Sequence, residues 1–163
     1  MQKNNHYTGW ELESFDGASN FREYQFEKIK KFIKKKKILD VGSGNGGLVK
    51  YFNRVTNKIS LFEPSEKLYR KLKKNFKRKK FKILKKKPNS KTKYDAILYM
   101  DVIEHIKNYY EELNLIKRNL KKNGFLIVNV PAFNFLFTNF DKSVGHIKRF
   151  TKKDFIFFSK NMI

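Results

Sequence analysis

Short apolar runs alternate with amphipathic helical patterns five times along this chain of 163 residues. Each run has the length of a buried strand and ends at a glycine, a proline or a polar residue. The alternation predicts an α/β fold, with a mostly parallel sheet of about five strands and helices on both of its faces. The predicted strands are 37–41, 58–63, 81–84, 94–100 and 125–130.

Polar residues mark the ends of two predicted helices. Asn108 and Glu111 form a capping-box-like pair that starts one helix, and Asn123-Gly124 ends it. Thr151 and Asp154 have the same spacing and open a last, aromatic helix.

The chain is strongly basic, with 38 Lys and Arg against 15 Asp and Glu and a formal net charge of +23. Clustered cations attract polyanions, so a nucleic-acid partner is one interpretation. The abundance of Lys, Asn, Ile and Phe beside little Ala is also the profile of an AT-rich coding sequence. We favour this second explanation of the charge, and nucleic acid is the less favoured partner.

The chain has no cysteine, which excludes disulfides, Cys-ligated zinc, iron–sulfur clusters and a cysteine nucleophile. The sequence predicts no metal site. No segment approaches the roughly 18 uninterrupted apolar residues of a membrane span, and residues 1–9 do not resemble a signal peptide. We therefore expect a single soluble domain in the cytoplasm, without a transmembrane segment.

A glycine-rich turn at 40–47, DVGSGNGG, follows the first predicted strand. Glu63 ends the second strand and can accept hydrogen bonds from both ribose hydroxyls of an adenosine-containing cofactor. The glycines alone also fit an ordinary tight turn or a dinucleotide site. Asp40 would repel a pyrophosphate but attract a cationic sulfonium or ammonium group. A methionine-bearing cofactor therefore fits better than a dinucleotide.

Four segments resemble, in order, the motifs of the class I S-adenosylmethionine-dependent methyltransferases. ILDVGSGNGG at 38–47 is similar to their first motif and LFEPS at 61–65 to their second. YDAILYMDVIEHIKN at 94–108 is similar to the fourth-strand motif, and LKKNGFLIVNVPA at 120–132 to the fifth strand with its preceding turn. The resemblance implies a Rossmann-like fold and S-adenosyl-L-methionine as cofactor.

The resemblance also implies which residues hold the cofactor. Asp40 would anchor its amino-acid end, Glu63 its ribose hydroxyls, and Asp101 and Val102 would line the methyl-transfer site. No acidic residue follows the third strand, so the adenine contact is unassigned. The implied cofactor-binding residues are Asp40, Val41, Gly42, Ser43, Gly44, Gly46, Glu63, Pro64, Asp101 and Val102.

Two histidines are candidates for contact with the methyl acceptor. His105 lies one helical turn beyond Asp101 and could take a proton from a hydroxyl acceptor, or could be structural. His146 belongs to 141–150, DKSVGHIKRF, which resembles the D-x-x-x-GH-x-x-R-[FY] segment of bacterial enzymes acting on sugars, lipids or other small metabolites. The candidate catalytic residues are His105 and His146, and the candidate substrate-binding residues are Asp141, His146 and Arg149. A structural clasp is the alternative for this segment.

The resemblance implies a single methyltransferase domain over 1–163. It comprises an N-terminal helical segment 1–36, a cofactor-binding core 37–132, and an acceptor-side loop with the last helix at 133–163. Relative to the usual family sheet the chain is expected to be C-terminally shortened and to lack the last hairpin. The fifth strand would then be an exposed edge at which a homodimer could form.

The acceptor implied by these observations is a small molecule, methylated at oxygen or carbon. An amino-directed reaction is disfavoured because Tyr99-Met100-Asp101-Val102 stands where such enzymes have an Asn/Asp-Pro-Pro-Tyr motif. Two other functions stay open: an RNA methyltransferase that uses the basic surface, and a catalytically incomplete methyltransferase-like binding protein.

Overall fold

A computed structural model of the protein describes residues 12–79 and 81–160. Its centre is a five-stranded sheet in the order β3-β2-β1-β4-β5, and every neighbouring pair is parallel. This confirms the predicted α/β, Rossmann-like fold. The strands are β1 Ile38–Val41, β2 Ile59–Phe62, β3 Lys82–Leu84, β4 Tyr94–Met100 and β5 Leu120–Asn129.

Seven helices occur within residues 12–79 and 81–160, and several of them pack against the two faces of the sheet. Two single 3-10 turns, Ile103–His105 and Asn134–Leu136, follow β4 and β5. The helices are α1 Leu12–Gly17, α2 Ser19–Ile33, α3 Val49–Phe52, α4 Glu66–Asn75, α5 Tyr109–Lys117, α6 Asn139–Ser143 and α7 Lys152–Lys160.

The core has two parts, one on each face of the sheet. Successive residues of a strand point to opposite faces, so Ile38 packs with α2 and α3 on one side while Leu39 packs with α5 on the other. Burying β1 and β4 on both faces explains why these strands are nearly continuous apolar runs.

Strand order reverses between β1 and β4. The chain runs outward from β1 through β2 to β3, returns to β4 beside β1, and continues outward to β5. In such sheets the loops after β1 and β4 diverge to opposite faces and leave a crevice beyond the carboxyl ends of the strands. The turn after β1 and the segment after β4 therefore form the walls of one site.

Helix α5 begins after Asn108 and α7 begins after Thr151, both as predicted, whereas the predicted end of α5 is wrong. Helix α5 ends before Asn119, because this buried side chain donates to two backbone carbonyls and turns the chain directly into β5. Asn123-Gly124 consequently lies inside the strand. Asn108 makes no side-chain capping bond. The last helix begins as predicted, with the Thr151 hydroxyl and N–H both donating to Asp154.

Strand β5 forms one edge of the sheet described here. Phe125 on this strand is 40% exposed and packs against Phe32 with ring centroids 5.1 Å apart. Pairing of a second copy with this edge stays a prediction. Among the described helices, none combines the length and hydropathy that a membrane crossing requires.

Candidate active site

A cavity of about 1320 Å³ opens at the carboxyl ends of the strands. Its walls come from the segments after β1, β2, β4 and β5, and α1 and α2 contribute further side chains. We call the part after β1 and β2 the cofactor half, residues 40–47 and 63–65. The part after β4 and β5 is the acceptor half, residues 101–106 and 129–150.

Glycine is required in the turn after β1 for two different reasons. Gly42 has a φ of +69°, and a Cβ there would lie 2.7 Å from a methyl group of Val102. Gly46 has a φ of +90°, and a Cβ there would overlap the ring of Phe76. Side chains are thus excluded both by backbone conformation and by packing, and Gly46 faces the protein rather than the cavity.

Glu63 connects the two strand ends of the cofactor half. Its carboxylate accepts hydrogen bonds from the N–H groups of Gly44 and Ser65, each at 2.8 Å, and the residue is 4% exposed. A carboxylate offers about four lone-pair positions, so two stay available for further donors. Burial raises the pKa of Glu63, although both backbone hydrogen bonds favour its ionised form.

Asp40 is the second carboxylate of the cofactor half and also lines the cavity. It is 4% exposed, and burial raises its pKa to about 7. The negative charge of Glu63 adds to this rise. A cationic ligand group beside Asp40 would therefore stabilise the ionised carboxylate.

Asp101 lies at the boundary between the two halves of the cavity. It adopts a left-handed backbone conformation with a φ of +58°. Its carboxylate accepts hydrogen bonds from Gln25 at 3.0 Å and Asn129 at 2.6 Å, and Arg22 lies 3.6 Å away. None of these three partners was predicted from the sequence. Arg22 and Gln25 lie three positions apart on the buried face of α2, where the sequence pattern alone does not distinguish them from exposed polar residues.

Asp141 is fully buried and organises the loop after β5. It accepts hydrogen bonds from the N–H and hydroxyl of Thr138, from His146, and from two guanidinium nitrogens of Arg149. Burial opposes ionisation of Asp141, but these donors outweigh it and hold its pKa well below the usual range. The bidentate pair with Arg149 supports the structural-clasp interpretation of this segment.

Glu104, His105 and His146 meet in the acceptor half. The two imidazole rings pack edge to face with centroids 4.8 Å apart, and His146 Nε2 lies 3.9 Å from a Glu104 oxygen. Burial lowers the pKa of His105 to about 4, so this ring is neutral at pH 7. Burial also raises the pKa of Glu104 to about 8. Glu104 was not among the residues predicted from the sequence.

The cavity brings most of the predicted site residues together. Val41 is a buried core residue, and Gly46 packs as described above. The predicted residues that line the cavity are Asp40, Gly42, Ser43, Gly44, Glu63, Pro64, Asp101, Val102, His105, Asp141, His146 and Arg149.

Residues 17–158 match a family model described as a methyltransferase domain. No curated protein matches the sequence.

Solved structures of three proteins share the fold at low sequence identity. A proposed methyltransferase from Bacillus halodurans is 16% identical, with 85% of this chain and 67% of that chain covered and a TM-score of 0.70. A proposed methyltransferase from Haloferax volcanii, solved with the Trm112 methyltransferase activator, is 14% identical over 99% and 77%, with a TM-score of 0.72. Coclaurine N-methyltransferase, bound to N-methylheliamine and SAH, is 18% identical over 84% and 47%, with a TM-score of 0.65.

Proposed function

Because the chain belongs to the methyltransferase-domain family, we propose that its cavity binds S-adenosylmethionine and delivers the methyl group to a small-molecule acceptor, at oxygen or carbon. The observation that carries the cofactor assignment is the convergence of two buried carboxylates, Asp40 and Glu63, on one end of the cavity. Neither faces a Lys or Arg within salt-bridge distance among the described residues.

The donor set of the cofactor half fits this cofactor. S-adenosylmethionine supplies a methyl group on a cationic sulfonium, which leaves as a neutral thioether. Asp40 provides the negative charge that the cationic end of the ligand requires, and Glu63 provides acceptors for two ribose hydroxyls. The ionised carboxylate of Asp40 would repel the pyrophosphate of a dinucleotide.

The size of the cavity supports a second ligand beside the cofactor. Small-molecule pockets hold one ligand in roughly 300–1,000 Å³, whereas this cavity measures about 1320 Å³. The acceptor would lie against His105 and His146, opposite the cofactor half. Holding it in line with the methyl group is the main catalytic requirement, since the leaving group is already activated. Coclaurine N-methyltransferase, which shares the fold, is bound to a small molecule, N-methylheliamine.

Calorimetric titration with S-adenosylmethionine, S-adenosylhomocysteine and NAD tests the cofactor assignment. We expect the first two to bind and NAD not to bind. Glu63→Ala removes hydrogen bonds to a charged acceptor, each worth about 1.5–3 kcal/mol, so affinity should fall about tenfold to more than a hundredfold. Glu27→Ala, which removes a carboxylate from the exposed face of α2, is the matched control. Preference for NAD, or unchanged affinity in Glu63→Ala, would contradict the proposal.

The acceptor class is tested by transfer of a labelled methyl group. Panels of sugars, lipids and other hydroxyl-bearing metabolites would be compared with RNA at low and high salt. A small-molecule acceptor predicts turnover that changes little with salt. Methylation confined to RNA, with binding that weakens steeply as salt rises, would instead establish the RNA-directed alternative.

A further inference from the structure

Glu104 is a buried carboxylate that accepts no hydrogen bond from the part of the chain that the structure describes. The residue is 1% exposed, and neither carboxylate oxygen has a hydrogen-bond partner among the described residues. Buried carboxylates in native proteins are normally paired, hydrogen-bonded or bound to a metal. The side chain lines the cavity, so its oxygens point to a ligand that enters from there.

Two histidines face the same point as Glu104. One donor atom from each of Glu104, His105 and His146 can be chosen so that all three lie within 4.8 Å of one another. Ligand atoms about 2.1 Å from one tetrahedral zinc ion lie about 3.4 Å apart, so a pair of donors 4.8 Å apart would need to approach by about 1.4 Å, shared between the two atoms. Small side-chain rotations, of less than about an ångström at the donor atoms, would therefore close the three residues on one ion.

Both imidazole rings are oriented by hydrogen bonds at Nδ1. His146 Nδ1 lies 2.8 Å from a carboxylate oxygen of Asp141, and His105 Nδ1 lies 3.2 Å from the carbonyl oxygen of Gly145. A carboxylate and a carbonyl can only accept, so Nδ1 carries a proton in each ring, and Nε2 is the nitrogen through which each ring would bind a metal ion. This is the arrangement that orients metal-ligating histidines in proteins.

Asp101 is three residues before Glu104 but belongs to a different network. Its two oxygens accept from Gln25 and Asn129. The available donor set is thus two imidazoles and one carboxylate, which suits zinc and other divalent first-row metals and leaves coordination positions open.

We propose that Glu104, His105 and His146 bind one divalent transition-metal ion in the acceptor half, with an open position that takes the acceptor's hydroxyl oxygen. The metal site stands on the geometry alone, whereas its use in methyl transfer rests on the proposed function. A hydroxyl bound to the ion loses its proton to solvent more readily. The oxygen then forms a bond to the methyl carbon as the carbon–sulfur bond breaks, which gives a methyl ether and neutral S-adenosylhomocysteine.

Titration of the chelator-treated full chain with Co²⁺ and Zn²⁺ tests the site directly. We expect one equivalent of Co²⁺ to bind with visible absorption bands of a nitrogen- and oxygen-ligated ion, and Zn²⁺ to displace it. Glu104→Gln keeps the shape of the side chain but removes its charge, and should weaken binding by about a hundredfold or more. Glu111→Gln makes the same change on the exposed face of α5 and should bind as the unmodified chain does.

The outcomes separate this proposal from the cofactor assignment. No stoichiometric binding, or equal binding by Glu104→Gln and the unmodified chain, overturns the metal site whether or not S-adenosylmethionine binds. Retained S-adenosylmethionine affinity in Glu104→Gln would show that the variant is folded and that the loss is confined to the metal. Methylation at an undiminished rate after metal removal would overturn the catalytic role and leave the histidines to act directly on the acceptor.

Discussion

The two halves of the cavity are built in different ways. The cofactor half comes from two short segments at the ends of neighbouring strands, and its backbone N–H groups hold the Glu63 carboxylate. The acceptor half joins side chains about 40 residues apart, such as His105 and His146. A site built from backbone and local turns is visible as a sequence motif, whereas a site built from distant side chains is visible only after folding.

Buried carboxylates around the cavity differ in charge state, and this difference does not follow the two halves. Burial raises the pKa of both Asp40 and Glu104, which have too few donors to compensate. Asp141 is equally inaccessible, but the five hydrogen bonds that its carboxylate accepts lower its pKa. Hydrogen-bond partners, rather than depth of burial, therefore decide the charge state of these carboxylates. The first two carboxylates are therefore suited to cationic ligands, and the third is structural.

The largest effect is expected from Asp141→Ala. This change leaves Arg149 and His146 without their carboxylate, and breaking a buried ion pair costs about 3–5 kcal/mol. Chemical denaturation would measure the free energy of unfolding. Asp154→Ala is the matched control, because it removes the same Thr-x-x-Asp cap from α7 together with only a partly exposed ion pair to Lys148, and should cost about 1–2 kcal/mol.

Cofactor affinity in Asp141→Ala tests whether the halves are independent. If they are, S-adenosylmethionine should bind the folded variant as it binds the unmodified chain. Equal destabilisation by the two alanine variants would show that the buried pair with Arg149 contributes nothing. Loss of cofactor binding by the folded variant would show that one structural unit supports both halves.

An intermediate effect is expected where the halves touch, at Gly42 and Val102. Gly42→Ala places a Cβ in a left-handed conformation and 2.7 Å from a Val102 methyl group, which together should cost about 2–3 kcal/mol. Val102→Ala removes the overlapping methyl group. In that background Gly42→Ala should cost at least about 1 kcal/mol less, as a double-mutant cycle in unfolding free energy would show. Additive costs would mean that backbone conformation alone requires the glycine.

The fold was largely predictable because strand length and apolar period are local properties. The sheet prediction needed only runs such as Tyr94–Met100, buried on both faces. The end of α5 was not predictable, since Asn119 fixes it through carbonyls about 30 residues earlier in the chain. The Asn123-Gly124 pair, which was predicted to end this helix, lies within strand β5, where Asn123 has a φ of +62°.

In the candidate site, too, local features were predictable from the sequence and long-range contacts were not. The motif placed Asp40 and Glu63 at adjoining strand ends, as the parallel pairing of β1 and β2 brings about. Glu104 gave no signal, because its importance lies in the lack of a hydrogen-bond partner for its oxygens among the described residues. Arg22 was also missed, since one buried cation in an amphipathic helix has no sequence pattern of its own.

The smallest predicted effect is the pH dependence of cofactor affinity. Burial raises the pKa of Asp40 to about 7, and a cationic ligand binds the ionised form. About a tenth of Asp40 is ionised at pH 6 and about nine tenths at pH 8, so affinity for S-adenosylmethionine should rise about tenfold over this interval. Calorimetry at both pH values measures it. Asp40→Asn should bind weakly and lack this rise.

The stability of the ligand-free protein should change in the opposite direction. The folded-state pKa of Asp40 lies above its ordinary value of 3.8, so folding favours the protonated carboxyl. The resulting stabilisation is complete below about pH 4 and is lost as pH rises through about 7. Unfolding measured against Asp40→Asn isolates this contribution from that of Glu104. If stability falls with pH while affinity rises, the charge of Asp40 is compensated by the cofactor and not by the fold. If both change with pH in the same direction, a cationic group of the protein compensates that charge instead.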